Sequence, residues 1–486
     1  MLQKAFLKRL DRSAMPTQQR DWKVTKDSDA SLSHWGHANG ATINDLLSMH
    51  LEKIIDRACY ESRANPLVDG TISSHANDVI GPSGPALQFQ TDDERWNKRA
   101  EEIWLEISQS IDGSGELSLA DFLKQGVRSL WTKGAIVSQY VYDSDCDSIV
   151  KQRLHSIPVE LLYSGKFNTT DTMLGITRNK LGRPIKYWVN ESGLRVESMF
   201  RSIKPVDIAA SEIQHVYCKH ESQQWRGYPW LSSSLQAIAE LDEYDTAVLD
   251  AAKVAAMMAV LFFNTRDDLE SDEDPKNFEI KRQSGVKVPT GWQPYALNSN
   301  QPTSSHAAFK SDKIRDIGRP VGMPLMSIQR DASNHTYSSA RFDGQGYARA
   351  NESIQYFLEQ KSINPFVGLV LMEAMLRGVL PYKEPRSLIG KWNSIWTKPP
   401  QVDPVKEAMA QRLQLENRTL SPQRACLENN VDFETVCKEW KKANEILVAN
   451  GLPEMLGPIP TDPNALAAIM ANASNQENQP NQQVKK

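Results

Sequence analysis

Residues 231–263 constrain the chain more than any other stretch, because no Gly or Pro interrupts them. Leu235, Ile238, Leu241, Val248, Ala252, Ala255 and Met258 recur at helical spacing, and Ser232 or Ser233 can cap the start. A helix over 232–262 would be about 46 Å long at about 1.5 Å per residue. Its first half carries Glu240, Asp242, Glu243, Asp245 and Asp250 with no basic residue, and small residues dominate its second half. Small residues suit close packing against other helices, which is unusual for a surface helix of a monomer.

A chain of 486 residues exceeds one hydrophobic core and is expected to form several domains. Its formal charge of −4 argues against a tight static grip on nucleic acid, which usually takes a basic excess. Cys59, Cys146, Cys218, Cys426 and Cys437 are odd in number and widely spaced, and read as reduced thiols of a cytosolic compartment. The start of the chain lacks the apolar core of a signal peptide. The most apolar stretch, 254–263, is about half the length that spanning a bilayer needs, so no membrane segment is expected.

Around that helix, 1–90 reads as short helical pieces among Gly, Ser and Asn. Residues 92–109 read as an amphipathic helix with Trp96, Ala100, Ile103, Trp104 and Ile107 on one face. A second helix starts after Ser118, with Asp121 completing its cap, and ends near Gly134. Strands are expected from there to about 218, with a hairpin reversing near Leu181-Gly182-Arg183-Pro184. A polar acidic run and a strand pair occupy 264–303, and a shorter helix, 304–318, leads to Pro320. A loop follows, then a long helical region over 338–378 that Pro365 should kink. Residues 403–450 are helical, with Asp403-Pro404 and Ser421-Pro422 as cap-plus-proline starts, Asp432 as a third cap and Gly451 as a stop. The stripe Phe433, Val436, Trp440, Ala443 and Leu447 marks the last of these helices, and the tail from about 471 is expected to be disordered.

No nucleotide-binding, zinc-protease or serine-hydrolase signature occurs, and no cofactor is implied. Ser110–Asp121 half-matches a calcium loop, but Ser110 and Asp121 replace the carboxylates that such a loop needs most, so a turn plus helix cap fits better. His215, Cys218 and His220 invite a metal reading, yet on a strand His215 and Cys218 point to opposite faces, so a structural role is preferred and no metal is expected. Three readings stay open for Glu240–Asp250: carboxylates for catalysis or metal, a solvated face, or a face lining something that should not stick.

Several segments in order resemble the lambda-like family of tailed-bacteriophage portal proteins. They are Asn65-Pro66, the following GPSGPALQFQ and a Trp-containing helix, GITRNKLGRPIKYWV, the IQHVY strand, and the run RGYPWLSS into the long helix. VGMP, the SSAR segment that opens a helix, and VDPVKEAMAQ complete the match, which spans about 20–450. The resemblance implies an α+β, multidomain portal fold that assembles into a ring of twelve subunits. It maps 1–230 to an α/β wing, 231–262 to stem helix 1, 263–303 to the clip and 304–320 to stem helix 2. It further maps 321–337 to the tunnel loop, with Ser327–Tyr337 its projecting part, 338–402 to the kinked wing helix and connection, 403–455 to the crown, and 456–486 to a disordered tail.

The function so implied is a channel at one capsid vertex, through which terminase packages double-stranded DNA and DNA later exits. It also implies nucleation of capsid assembly and connection of head to tail, without catalysis. Implied partners are the large terminase subunit, head-completion or adaptor proteins, and major capsid and scaffolding proteins; the implied location is the virion, with host cytoplasm during assembly. An acidic or neutral wall suits a duplex that must slide, since phosphate-binding cations would hold it by counterion release. Within this frame Glu240, Asp242, Asp245 and Asp250 line the channel, while Arg330, Asn334, His335, Lys310 and Lys313 lie near DNA; Arg315 is a further basic residue near the constriction. Two alternatives differ in their predictions. A head-completion or adaptor ring would not need both a clip and an acidic long helix, and a metal-dependent nuclease would lose cleavage in Asp242→Asn.

Overall fold

The computed structural model describes residues 40–163, 171–190, 205–257, 261–264, 292–295, 306–333, 335–397, 404–428 and 433–449. The expectations for 1–39, for most of the clip, for Asn334, for the Asp403 and Asp432 caps, for Gly451 and for the tail lie outside the described residues.

Two helices open the described chain where only short pieces were expected: α1 (Ile43–Ala64) and α2 (Pro66–Ile80). Thr42 and Asp45 form a reciprocal capping box at the start of α1. Asn65 ends α1 and caps α2, its side-chain oxygen accepting from the amides of Leu67 and Val68, with Pro66 at the first helical position. The Asn-Pro pair is thus a hinge between two helices. Strand β1 (Ala86–Phe89) leads to α3 (Glu94–Gln109), whose buried residues are Trp96, Ala100, Ile103, Trp104 and Ile107, the stripe read from the sequence. Helix α4 (Leu119–Lys133) is capped by Ser118 and stopped by Gly134 in the left-handed region.

Strands β2 (Ile136–Tyr142), β3 (Gln152–Ser156), β4 (Thr172–Met173), β5 (Ile176–Arg178), β6 (Pro184–Asn190), β7 (Pro205–Ala209) and β8 (Ile213–Val216) follow. They form two antiparallel sheets, β3-β2-β8 and β4-β5-β6-β7. The hairpin reversal between β5 and β6 lies where it was expected, with a register irregularity at Thr177/Arg178. Ala135, Val137, Ile157, Val159, Ile176, Tyr187, Val189 and Ile213 make one buried cluster from both sheets. A larger core joins α2, α3 and α4 to residues 358–388.

The long helix is shorter than its pattern suggested. Trp230–Ser233 form a 3-10 turn, and α5 runs over Leu235–Met257. Neither Ser232 nor Ser233 caps it; Ser234 instead points its hydroxyl at the carbonyls of Asp316 and Ile317, at 3.2 and 3.4 Å. Leu261–Asn264 is not helix but strand β9, paired antiparallel with β10 (Trp292–Tyr295). Helix α6 (His306–Gly318) returns toward the body, and a 3-10 turn leads to α7 (Leu325–Gln329) inside the segment expected to be loop.

The kink near Pro365 is present and has a second cause. Helix α8 (Tyr337–Leu358) passes into a π-helical turn, Glu359–Ile363, before α9 (Asn364–Leu376), which carries Pro365 in its first turn. The Gln214 side chain of β8 donates to the Ser362 carbonyl at 2.8 Å and accepts from its hydroxyl at 3.0 Å, so the sheet grips the widened turn. After α10 (Pro385–Leu388), β11 (Trp392–Ile395) pairs with β1 and closes the body. Helices α11 (Pro404–Glu416), α12 (Pro422–Glu428) and α13 (Phe433–Ala449) finish it, and the Ser421 hydroxyl accepts from the Arg424 amide as expected of a cap.

Candidate functional site

The site worth building is the α5/α6 pair and the segment that follows it. Ile238, Leu241, Ile314 and Ile317 are buried at the α5/α6 end nearest the body. Glu240 meets Lys313 at 2.7 Å and Asp245 meets Lys310 at 2.6 Å. Rising numbers on one helix meet falling numbers on the other, so the pair is antiparallel. His306 lies 3.5 Å from Asp245, and the Tyr244 ring packs against His306 and Phe309, with centroids 5.5 and 4.7 Å apart. The hydrogen bond from Lys313 holds the Glu240 carboxyl below its ordinary range, helped by Gln236. Lys313 is pushed up by the same bond.

At about 100° per residue, Asp242, Glu243 and Asp250 fall on the face of α5 turned away from α6, and all three are exposed. Asp250 is joined there by Lys253 at 2.9 Å. The acidic run therefore divides: Glu240 and Asp245 turn inward to lysines, and the other acids turn outward. That division was not legible in the sequence, because the lysines stand 65 and 73 positions away.

Arg330 follows α7 in the left-handed region, with φ 53°. Its Nε donates to the Ser74 hydroxyl at 3.3 Å and its Nη2 lies 3.9 Å from Asp78 Oδ1. The other Asp78 oxygen accepts from the Tyr347 hydroxyl at 3.0 Å. Burial raises the Asp78 carboxyl, opposed by the Tyr347 bond and the Arg330 charge. So α2 supplies a counter-ion for Arg330 that no local pattern announced. His335, whose amide donates to the Ala332 carbonyl at 3.0 Å, lines a cavity of about 510 Å³ with Arg315, Arg319, Phe342 and Arg349.

The other candidates have structural employment. Asp112 accepts from the amides of Leu117 and Ser114 and from the Ser114 hydroxyl, a tight turn leading to the Ser118 cap. His215 is half-buried, 3.3 Å from the Tyr187 hydroxyl and stacked on Tyr217. His220 packs instead on Tyr228. Among the described residues no group of three or more His, Cys, Asp or Glu is arranged to hold a metal, and no helix is long and apolar enough to cross a membrane.

The described residues are thus an α+β body that sends out an antiparallel helix pair and takes it back at one point. Residues 29–355 match the lambda family of phage portal proteins, and the chain belongs to that family. A probable portal protein of Halomonas phage phiHAP-1 is 22% identical over 406 residues, covering 75% of this chain and 74% of the relative. Among solved structures, a chain from the neck of an empty gene transfer agent particle is 15% identical at TM-score 0.43, covering 82% of this chain and 98% of that one. An HK97-family phage portal protein from Corynebacterium diphtheriae is 11% identical at TM-score 0.29, covering 72% and 96%.

Proposed function

We propose that this chain is one subunit of a twelve-membered portal ring at a single capsid vertex, a passive conduit for double-stranded DNA in transit. The match to the portal family over residues 29–355 carries the reading. On it, the large terminase subunit drives DNA inward through the ring, and DNA later leaves by the same path. The ring nucleates the shell with major capsid and scaffolding proteins, and head-completion or adaptor proteins join it to the tail. It forms in host cytoplasm and stays in the virion.

In this reading α5 and α6 are the stem, β9 and β10 begin and end the clip, and 321–337 is the tunnel loop. Asp242, on the outward face of α5, is the acid that meets the duplex and repels its phosphates; Asp250 lines the same face with Lys253 beside it. Arg330, Asn334 and His335 lie nearest the constriction. A net charge of −4 per chain is consistent with a wall that does not hold DNA.

Native mass spectrometry tests the assembly: the expected particle is twelve subunits of 54.7 kDa each. A preparation that stays monomeric at low and high salt, with no rings on electron-microscope grids, refutes it. Incubation of intact rings with linear duplex and magnesium or manganese tests the passive part. Cleavage that Asp242→Asn abolishes would replace the conduit with a nuclease.

A further inference from the structure

We infer that Glu240, Asp245 and Asp78 are masking residues, carboxylates that occupy the basic side chains nearest the proposed passage and so keep them from DNA phosphates. The inference rests on the conduit reading and adds to it the residues that make the conduit slippery.

Three of the basic side chains placed near DNA each face a carboxylate of the same chain. Lys313 contacts Glu240 at 2.7 Å, Lys310 contacts Asp245 at 2.6 Å, and Arg330 lies 3.9 Å from Asp78 while donating to Ser74. Both lysines have a second neighbour beside the carboxylate. The Lys313 side chain is only 25% exposed and its ammonium lies 5.8 Å from the centre of the Phe309 ring, while Lys310 shares Asp245 with His306. The Asp78 carboxylate is held by the Tyr347 hydroxyl, so it stays in place if Arg330 moves.

A lone lysine that meets DNA gains by releasing a condensed counterion. A lysine that arrives with its own carboxylate gains little, because an approaching phosphate must displace that carboxylate or sit beside it as a like charge. Stability does not explain the pairs. Exposed ion pairs contribute little to folding, and the apolar contacts of Ile238, Leu241, Ile314 and Ile317 already hold the two helices together. What the pairs do change is the charge presented to a polyanion: two lysines, with Asp316 close to one of them, become locally neutral.

The test uses full-length rings and a blunt linear duplex, with affinity read by fluorescence anisotropy over a salt series. Glu240→Gln with Asp245→Asn keeps side-chain shape and removes the masks. Affinity at low salt should rise about tenfold or more, and the log–log salt slope should steepen by about 0.9 for each phosphate newly contacted. Adding Lys310→Met and Lys313→Met should return both quantities to the starting values. Asp78→Asn is expected to act in the same direction as the unmasked pair through Arg330.

Unchanged affinity in the unmasked rings overturns the inference. So does a marked loss of affinity in the quadruple variant, which removes both pairs without changing the net charge, an arm that still decides if the unmasked variant fails to assemble. The portal reading fails separately, if the unaltered chain forms no rings.

Discussion

Acidification from about pH 7 to about pH 5 should weaken this chain through two histidines of depressed pKa, one fully buried and one half-buried. His75 is fully buried; the Trp131 indole donates to its Nδ1 at 2.9 Å, and the Trp230 and Tyr347 rings lie 6.1 Å away. Burial lowers its pKa to about 4, with the Asn351 hydrogen bond opposing. His215 is lowered to about 3 by burial and by the charges of Arg226 and Arg178. Both values lie below the unfolded reference of about 6.5, so as pH falls the unfolded chain takes the proton first. Stability is therefore intact above about 6.5 and is lost progressively down to the folded values. Each histidine withdraws about 2 kcal/mol between pH 7 and pH 5, about 4 kcal/mol together, against a typical total of about 5–15. Urea melts at the two pH values measure the loss directly. In His75→Asn with His215→Asn, where the amide oxygen can stand in for Nδ1, the difference between the two melts should shrink by about 4 kcal/mol. An equal pH-dependent loss in both proteins would show that these histidines do not titrate as their burial demands.

Three further outcomes follow from close contacts. Gly227→Ala would place a Cβ 1.9 Å from the Gly134 carbonyl oxygen, and Gly134→Ala one 2.2 Å from the Tyr228 carbonyl carbon at φ +80°. Either should cost at least about 3 kcal/mol by urea melt, or prevent soluble expression. Glu373 accepts from the amides of Lys151 and Gln152 at 3.0 and 2.9 Å and from Arg377 at 2.7 Å. Glu373→Gln should cost about 2 kcal/mol and speed proteolysis within 143–151, because one amide donor then faces another. Deleting 264–303 should leave rings intact and abolish terminase docking in a pull-down; rings that fail to assemble would mean the clip holds subunits together.

The parts of the fold that the sequence showed are those where one local signal suffices. The stripe Trp96–Ile107, the stop at Gly134 and the helix interruption near Pro365 needed only periodicity and backbone chemistry. Helices α1 and α2 were missed because Gly70, Ser73 and Ser74 weaken the helical signal of α2, and its helicity rests on packing against α4 and α8. The far end of the long helix was overrun because MMAVLFF is apolar throughout, and an unbroken apolar run carries no period to separate helix from strand. The acids of α5 were recognised as a group, but which of them meet lysines of α6 depends on that distant helix. Asp78 and His75 were not singled out, since their partners are supplied by α7, α8 and α4 from distant parts of the chain.

The Ser234 hydroxyl touches the carbonyls of Asp316 and Ile317, so everything between residues 234 and 317 departs and returns through one doorway. The body, closed behind it by the β1–β11 ladder, does not depend on the length of that excursion. Closing a longer loop costs only about 0.6 kcal/mol per doubling. On the portal reading proposed above, the segment is thus a cartridge: its length can change to meet a different partner while the body keeps the β1–β11 closure.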